Sequence, residues 1–197
     1  LPARIAATLE TWPGAAPISA KGLLHLGRRA AVDQALSRMA RAGHLLRIGR
    51  GLYVRPLHTR FGMRSPEVST VLDAVQQKTG EVIAPSGAAT ANQLGLTTQV
   101  PLRSVYLTSG RTRHLTLGAQ TVHLQHVPRW QLTRAQTPVG AVIRVLAWGG
   151  RARGRALTAE LKRTLSPETI EELSQVLSRV PTWMAQELSA LLVPVRG

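Results

Sequence analysis

Apolar residues recur along the chain first at helical spacing, then at strand spacing, then at helical spacing again. Ile5, Leu9 and Trp12 fall at i, i+4 and i+7, a helical stripe that Pro13 and Gly14 end. Ser19 is placed to cap a short helix holding Leu23, Leu24 and Leu26. Gly27 breaks that helix. A third helix then runs from Arg28 to Ala42, with Val32, Ala35, Leu36 and Met39 inward and Gly43 at its end. From His44 the period shortens. Two β-type runs, Leu45–Ile48 and Leu52–Arg55, flank Gly49-Arg50-Gly51, which predicts a hairpin.

Residues 57–64 read as a linker. Ser65-Pro66-Glu67 opens a helix with Val68, Val71, Leu72 and Val75 inside and Gly80 at its end. Ser86 caps a short helix through Leu94, closed by Gly95. Strand alternation follows at Ser104–Thr108, Leu115–Leu117 and Thr121–Val127. Thr137-Pro138 starts a helix burying Val139, Val142, Ile143 and Leu146, which Gly149-Gly150 is expected to break. Arg151–Arg155 then reads as an exposed basic loop. Ser166-Pro167-Glu168 caps a further helix, with Ile170, Leu173 and Leu177 inward. Pro181 separates it from a last helix with Trp183, Leu188, Leu191 and Leu192. Three helices followed by a basic hairpin predict a winged helix-turn-helix domain over residues 1–60, and the whole chain reads as α+β.

Charge sharpens this picture. The 197 residues carry a formal net charge of +15, and only Lys21, Lys78 and Lys162 among the basic residues are lysines. Residues 1–64 hold 11 basic residues against Glu10 and Asp33, so one third of the chain carries most of the excess. Guanidinium groups pair in forked geometry with phosphates and guanine edges, so a polyanion is the expected partner of that third. Arginine bias and an ordinary solvated face are the competing explanation.

The expected DNA contacts follow from the helix and the hairpin. Arg28 and Arg29 open the third helix, and Gln34, Ser37, Arg38 and Arg41 lie along its polar face. Arg47, Arg50 and Arg55 surround the hairpin, and Lys21 precedes the helix. Arginine reads guanine and glutamine reads adenine, each worth about 1–3 kcal/mol of discrimination. Asp33 either accepts from a cytosine or pairs with Arg29. Tyr53 either touches a phosphate or packs. A second basic surface is expected at Arg111 and Arg113, with His114, and another at Arg151, Arg153 and Arg155. Each either extends the DNA surface, meets RNA or an acidic partner, or is simply solvated.

GHLLRIGRGLYVRP (Gly43–Pro56) resembles the wing of AbiEi-type antitoxins, the transcriptional regulators of abortive-infection (type IV) toxin–antitoxin operons. GLTTQVPLRSVYLTSGRTRHLTLGAQTVHLQHVP (Gly95–Pro128) is similar to the start of their C-terminal domain. The resemblance runs from about Ile18 to Trp148 and fades towards the C-terminus. It implies an N-terminal winged helix that binds inverted repeats in its own promoter and represses the operon. It also implies a mixed α/β antitoxin-type domain with a small sheet over residues 61–197, needed to neutralise a nucleotidyltransferase-like toxin without requiring a stable complex. Inverted repeats invite two copies on one operator, although no coiled-coil heptad supplies a dimer seam. The alternative is an antagonist that acts mainly by binding the toxin or its RNA substrate, with DNA binding secondary.

Other chemistry finds little support. There is no cysteine, so disulfides, thiolate metal sites and cysteine nucleophiles are excluded. The six histidines lack zinc spacing, and strand alternation sends His123 and His126 to opposite faces. Glu160-Leu161-Lys162 matches the E-x-K of metal-dependent nucleases only superficially, because it reads as helix and has no second acid beside it. Phosphate-binding glycine loops and nucleophile elbows are missing, so a non-enzymatic protein without cofactor or metal is expected. No uninterrupted apolar run reaches the ~18 residues of a membrane span. The chain opens at Leu1 without a basic-then-apolar leader, which leads us to expect a cytoplasmic protein. It has no initiator Met, so upstream residues are expected to have been trimmed or left out.

Overall fold

The structure, a computed structural model, describes residues 1–12, 14–60 and 62–192. The architecture is α+β with a small sheet. The chain divides into two compact units, residues 1–81 with 113–123 and residues 82–112 with 124–197. This replaces the boundary expected near residue 60.

In the first unit, α1 (Pro2–Glu10) buries Ile5 and Leu9, as its stripe predicts. Pro13, expected to end it, lies outside the described residues. Ala20–Leu26 forms a 3₁₀ helix that buries Leu23 and leaves Leu24 exposed; the Ser19 hydroxyl makes no capping bond. The next helix, α2 (Arg29–Arg41), carries Val32, Ala35 and Leu36 fully buried at i, i+3 and i+4. Complete burial of a side chain such as Leu36 contributes about 1.5–3 kcal/mol. Gly43 follows with φ of +80°, which suits glycine at the end of a helix.

Strands β1 (Leu46–Gly49) and β2 (Leu52–Val54) pair antiparallel, with an irregularity between Arg47 and Gly49. Ile18 adds an isolated bridge to Tyr53, with each residue's N–H donating to the other's carbonyl at 2.7 and 2.9 Å. The helices and this ribbon share one core of Ile5, Leu9, Ile18, Leu23, Val32, Leu36, Leu45 and Tyr53.

Residues 57–64 are not a plain linker. They form a second hairpin, β3 (Leu57–Thr59) and β4 (Gly62–Arg64). Leu57, Thr59, Gly62, Met63 and Arg64 are all exposed, so no inward–outward alternation marked it in the sequence. Phe61 lies outside the described residues. The following helix, α3 (Val68–Thr79), starts two residues later than Ser65 suggests, with Glu67 as its N-cap, and buries Val71, Leu72 and Val75. It belongs to the first unit. The Lys78 ammonium donates to the Pro17 carbonyl and lies over the Trp12 ring.

Strands β5 (Ile83–Pro85), β6 (Ser104–Thr108), β7 (Arg113–Leu117) and β8 (Gln120–His126) make a four-stranded sheet in the order β5-β6-β8-β7. Three of these strands match the predicted runs. The three-residue β5 is too short for its alternation to register.

In the second unit, α4 (Gly87–Gln93) is capped by the Ser86 hydroxyl, which accepts from the Ala89 N–H. Thr137 likewise caps α5 (Pro138–Thr164) by accepting from Gly140. The expected break falls at Gly150 (φ 65°, ψ −175°), whose non-helical backbone divides α5 into two helices that meet at a kink. The segment expected to be a basic loop, Arg151–Arg155, is therefore helical. Its arginines are good helix formers, so the helix resumes at once beyond the glycines. Helices α6 (Pro167–Leu173), capped by Ser166, and α7 (Thr182–Leu192) complete the unit. Its core gathers Val142, Ile143, Leu146, Leu157, Leu161, Met184 and Leu188. Among the described residues, no helix is long and apolar enough to cross a membrane.

Candidate nucleic-acid interface

Helix α2 is amphipathic in the simplest way. Its apolar stripe is committed to the core, so the residues between those positions must face outward. Arg29, Asp33, Ser37 and Arg41 run down one outer row, with Gln34 and Arg38 beside them. The hairpin is the second wall. Gly51 holds φ of +63°, the left-handed region that lets the chain reverse in a tight turn. An added Cβ would meet nothing there, so backbone conformation and not packing requires the glycine. The reversal leaves Arg50 exposed at the tip. Arg47 is exposed while Ile48 beside it is 1% exposed, and its Nε donates to the Gly49 carbonyl at 3.3 Å.

Helix face and hairpin together enclose a groove of about 800 Å³, lined by Arg29, Asp33, Gln34, Ser37, Arg38, Arg41, Arg47, Arg50, Gly51 and Tyr53. Five arginines thus converge on one concavity that contains a single carboxylate. Like charges held this close sum to a positive potential that neighbouring solvent only partly screens. The Arg29 Nε lies 3.8 Å from an oxygen of Asp33, an exposed i, i+4 pair. Such a pair is worth a few tenths of a kcal/mol and orients Arg29 more than it neutralises the groove. Tyr53 is 4% exposed. Its backbone holds the Ile18 bridge, and the residue also lines the groove.

Seven of the ten residues expected to contact DNA line this groove: Arg29, Gln34, Ser37, Arg38, Arg41, Arg47 and Arg50. Lys21 and Arg28 are exposed but do not line it; Arg28 is the N-cap of α2. Arg55 is a correction. Its Nη1 donates to the Leu9 carbonyl at 2.7 Å and to that of Glu10 at 3.4 Å, so it satisfies the end of α1. Arg113 is also corrected. It donates to Glu81 at 2.8 Å in a largely covered ion pair, whereas Arg111 is exposed and belongs to the other unit. Arg151, Arg153 and Arg155 are exposed on α5, and Arg153 lies over the Trp148 ring, 4.8 Å from its centroid.

Glu160 and Lys162 lie on α5 and not on a strand. Among the described residues, no three His, Asp or Glu side chains are gathered as a metal site.

One residue was missed. Arg144 is 4% exposed within α5. It is the only charge between Arg134 and Arg151, in an otherwise apolar stretch, and that isolation was the available signal.

The chain belongs to the family DUF6088, described as a family of unknown function, whose model matches residues 4–173. No curated protein matches it. Among solved structures it is similar to the crystal structure of the RV2827C protein from Mycobacterium tuberculosis. The TM-score is 0.50 at 18% identity, covering 96% of this chain and 75% of that one. A likeness at that identity concerns the fold alone.

Proposed function

We propose that the chain is a sequence-specific double-stranded DNA-binding protein whose first unit acts as a winged helix-turn-helix. The observation that carries this reading is the arginine-lined groove between α2 and the β1–β2 ribbon. An α-helix with its side chains is about as wide as the major groove of B-DNA. In this reading α2 enters that groove. Gln34 and Arg38 lie towards base edges, Arg29 and Arg41 towards the flanking phosphates, and Arg50 of the wing grips the neighbouring backbone.

With the resemblance to AbiEi-type antitoxins, this extends to a repressor of its own toxin–antitoxin operon that also antagonises a nucleotidyltransferase-like toxin. A protein partner for the second unit is the accompanying reading. Two exposed apolar side chains there favour it, Val100 at 73% and Leu102 at 103% exposure. Fluorescence anisotropy of a labelled duplex from upstream of the gene, against a scrambled duplex, tests the main proposal. Preference for the native duplex is expected, and equal affinity for the two would refute sequence-specific binding.

A further inference from the structure

The second unit contains a cavity of about 610 Å³ bounded by the start of α4, the 101–103 loop, the sheet and α5. That volume lies within the range of small-molecule sites. Its walls are mixed. Val105, Leu107 and Val127 present aliphatic surface, and Trp148 presents an indole held in place by Arg153 stacked on its ring. Arg103, Gln125 and Gln131 add polar groups. Gly87 lets α4 approach α5 closely at the edge, because a Cβ there would stand 2.2 Å from the Arg144 carbonyl oxygen and 2.5 Å from the Trp148 Cβ.

Arg144 also lines this cavity. It is 96% buried, since only 4% of it is exposed. Its Nη1 donates to the Ala135 carbonyl at 2.8 Å, and its Nε has no hydrogen-bond partner. None of the ion pairs among the described residues involves it. Burial pushes its pKa down to about 10, the mark of a guanidinium removed from water without a counter-charge. Such a group is costly to hold, and a hydrophobic residue would serve packing better. The fold gains one bond to the Ala135 carbonyl from it, whereas an anion entering the cavity would supply the missing counter-charge.

We infer that this cavity binds a small organic anion, its carboxylate or phosphate head on Arg144 and its apolar, planar body against Trp148 and the aliphatic wall. The site is separate from the arginine-lined groove of the first unit, and its ligand is no part of the DNA-binding reading.

Isothermal titration of the full chain with benzoate, phenyl phosphate, benzamide and inorganic phosphate tests this. At least one of the two aromatic anions is expected to bind saturably, and the tighter one identifies the head group. Benzamide, which keeps the ring without the charge, should bind roughly tenfold more weakly or less. Inorganic phosphate should also fall below phenyl phosphate. Arg144→Met should abolish binding. Val105→Trp, which fills the cavity and leaves Arg144 in place, should do the same and serves if the first variant does not fold. The inference is overturned if neither aromatic anion binds, if benzamide binds as tightly as benzoate, or if Val105→Trp binds like the parent chain.

Discussion

The guanidinium of Arg55 reaches back across 46 positions to the Leu9 carbonyl, 2.7 Å away, and ties the exit of the β1–β2 ribbon to the end of α1. A basic residue flanking the hairpin therefore acts within the fold. Arg55→Met should lower stability by about 1–2 kcal/mol, the range for a partly solvated bond from a charged donor. It should leave duplex affinity unchanged in the folded protein. Chemical denaturation and anisotropy on the same variant check the two halves of this expectation.

Arg50 and Gln34 line the same groove from different walls, and their loss should read differently. Arg50→Ala is expected to weaken binding to all duplexes alike and to reduce the salt slope by about 1. Gln34→Ala is expected to relax preference at one base position by about 1–3 kcal/mol while sparing affinity for unrelated sequences. A set of duplexes with single base-pair changes, titrated at two salt concentrations, separates these patterns.

Gly140 in α5 has no room for a side chain. A Cβ there would stand 2.1 Å from the Arg134 carbonyl oxygen and 2.7 Å from its carbon, and backbone atoms cannot swing aside. Gly140→Ala should therefore destabilise the chain by about 3 kcal/mol, at the upper end for overpacking, even though alanine is the better helix former. Urea denaturation of the variant is the check.

Glu168 opens α6, where its own backbone N–H and then the Ser166 hydroxyl hold its carboxyl below the usual range near 4.5. The folded pKa lies below the unfolded one. The contribution is thus fully present above the unfolded value and is lost as pH falls through the folded value. Melting temperatures followed from roughly pH 6 to pH 3 should decline less steeply in Glu168→Gln than in the parent chain.

Much of the first unit was legible in the sequence because its elements follow simple periods. Val32, Ala35 and Leu36 mark one face of α2, so the opposite face, with Gln34, Arg38 and Arg41, was known to be outward. Gly51 marked the hairpin turn through its backbone. What failed to show depends on tertiary partners. Nothing local distinguishes Arg55 from Arg50, yet one meets helix carbonyls and the other lines the groove. Arg113 reads as part of a basic turn until Glu81, 32 positions away, is brought beside it. Gly149-Gly150 marked the break in α5, but not that a second helix begins at once beyond it in place of the expected loop. Arg144 lies inside an apolar run, where periodicity reports burial and says nothing of unmet charge.

The central claim is that Arg29, Arg41, Arg47 and Arg50 of the α2–ribbon groove engage a phosphate backbone while Arg38 faces the bases. The dependence of duplex affinity on salt tests it most directly. With about five phosphate contacts in all, a plot of log K against log salt concentration should fall with a slope of roughly −4 to −5, and Arg41→Ala with Arg50→Ala together should make it shallower by about 2. A slope near zero, or one that the double variant leaves unchanged, would contradict it.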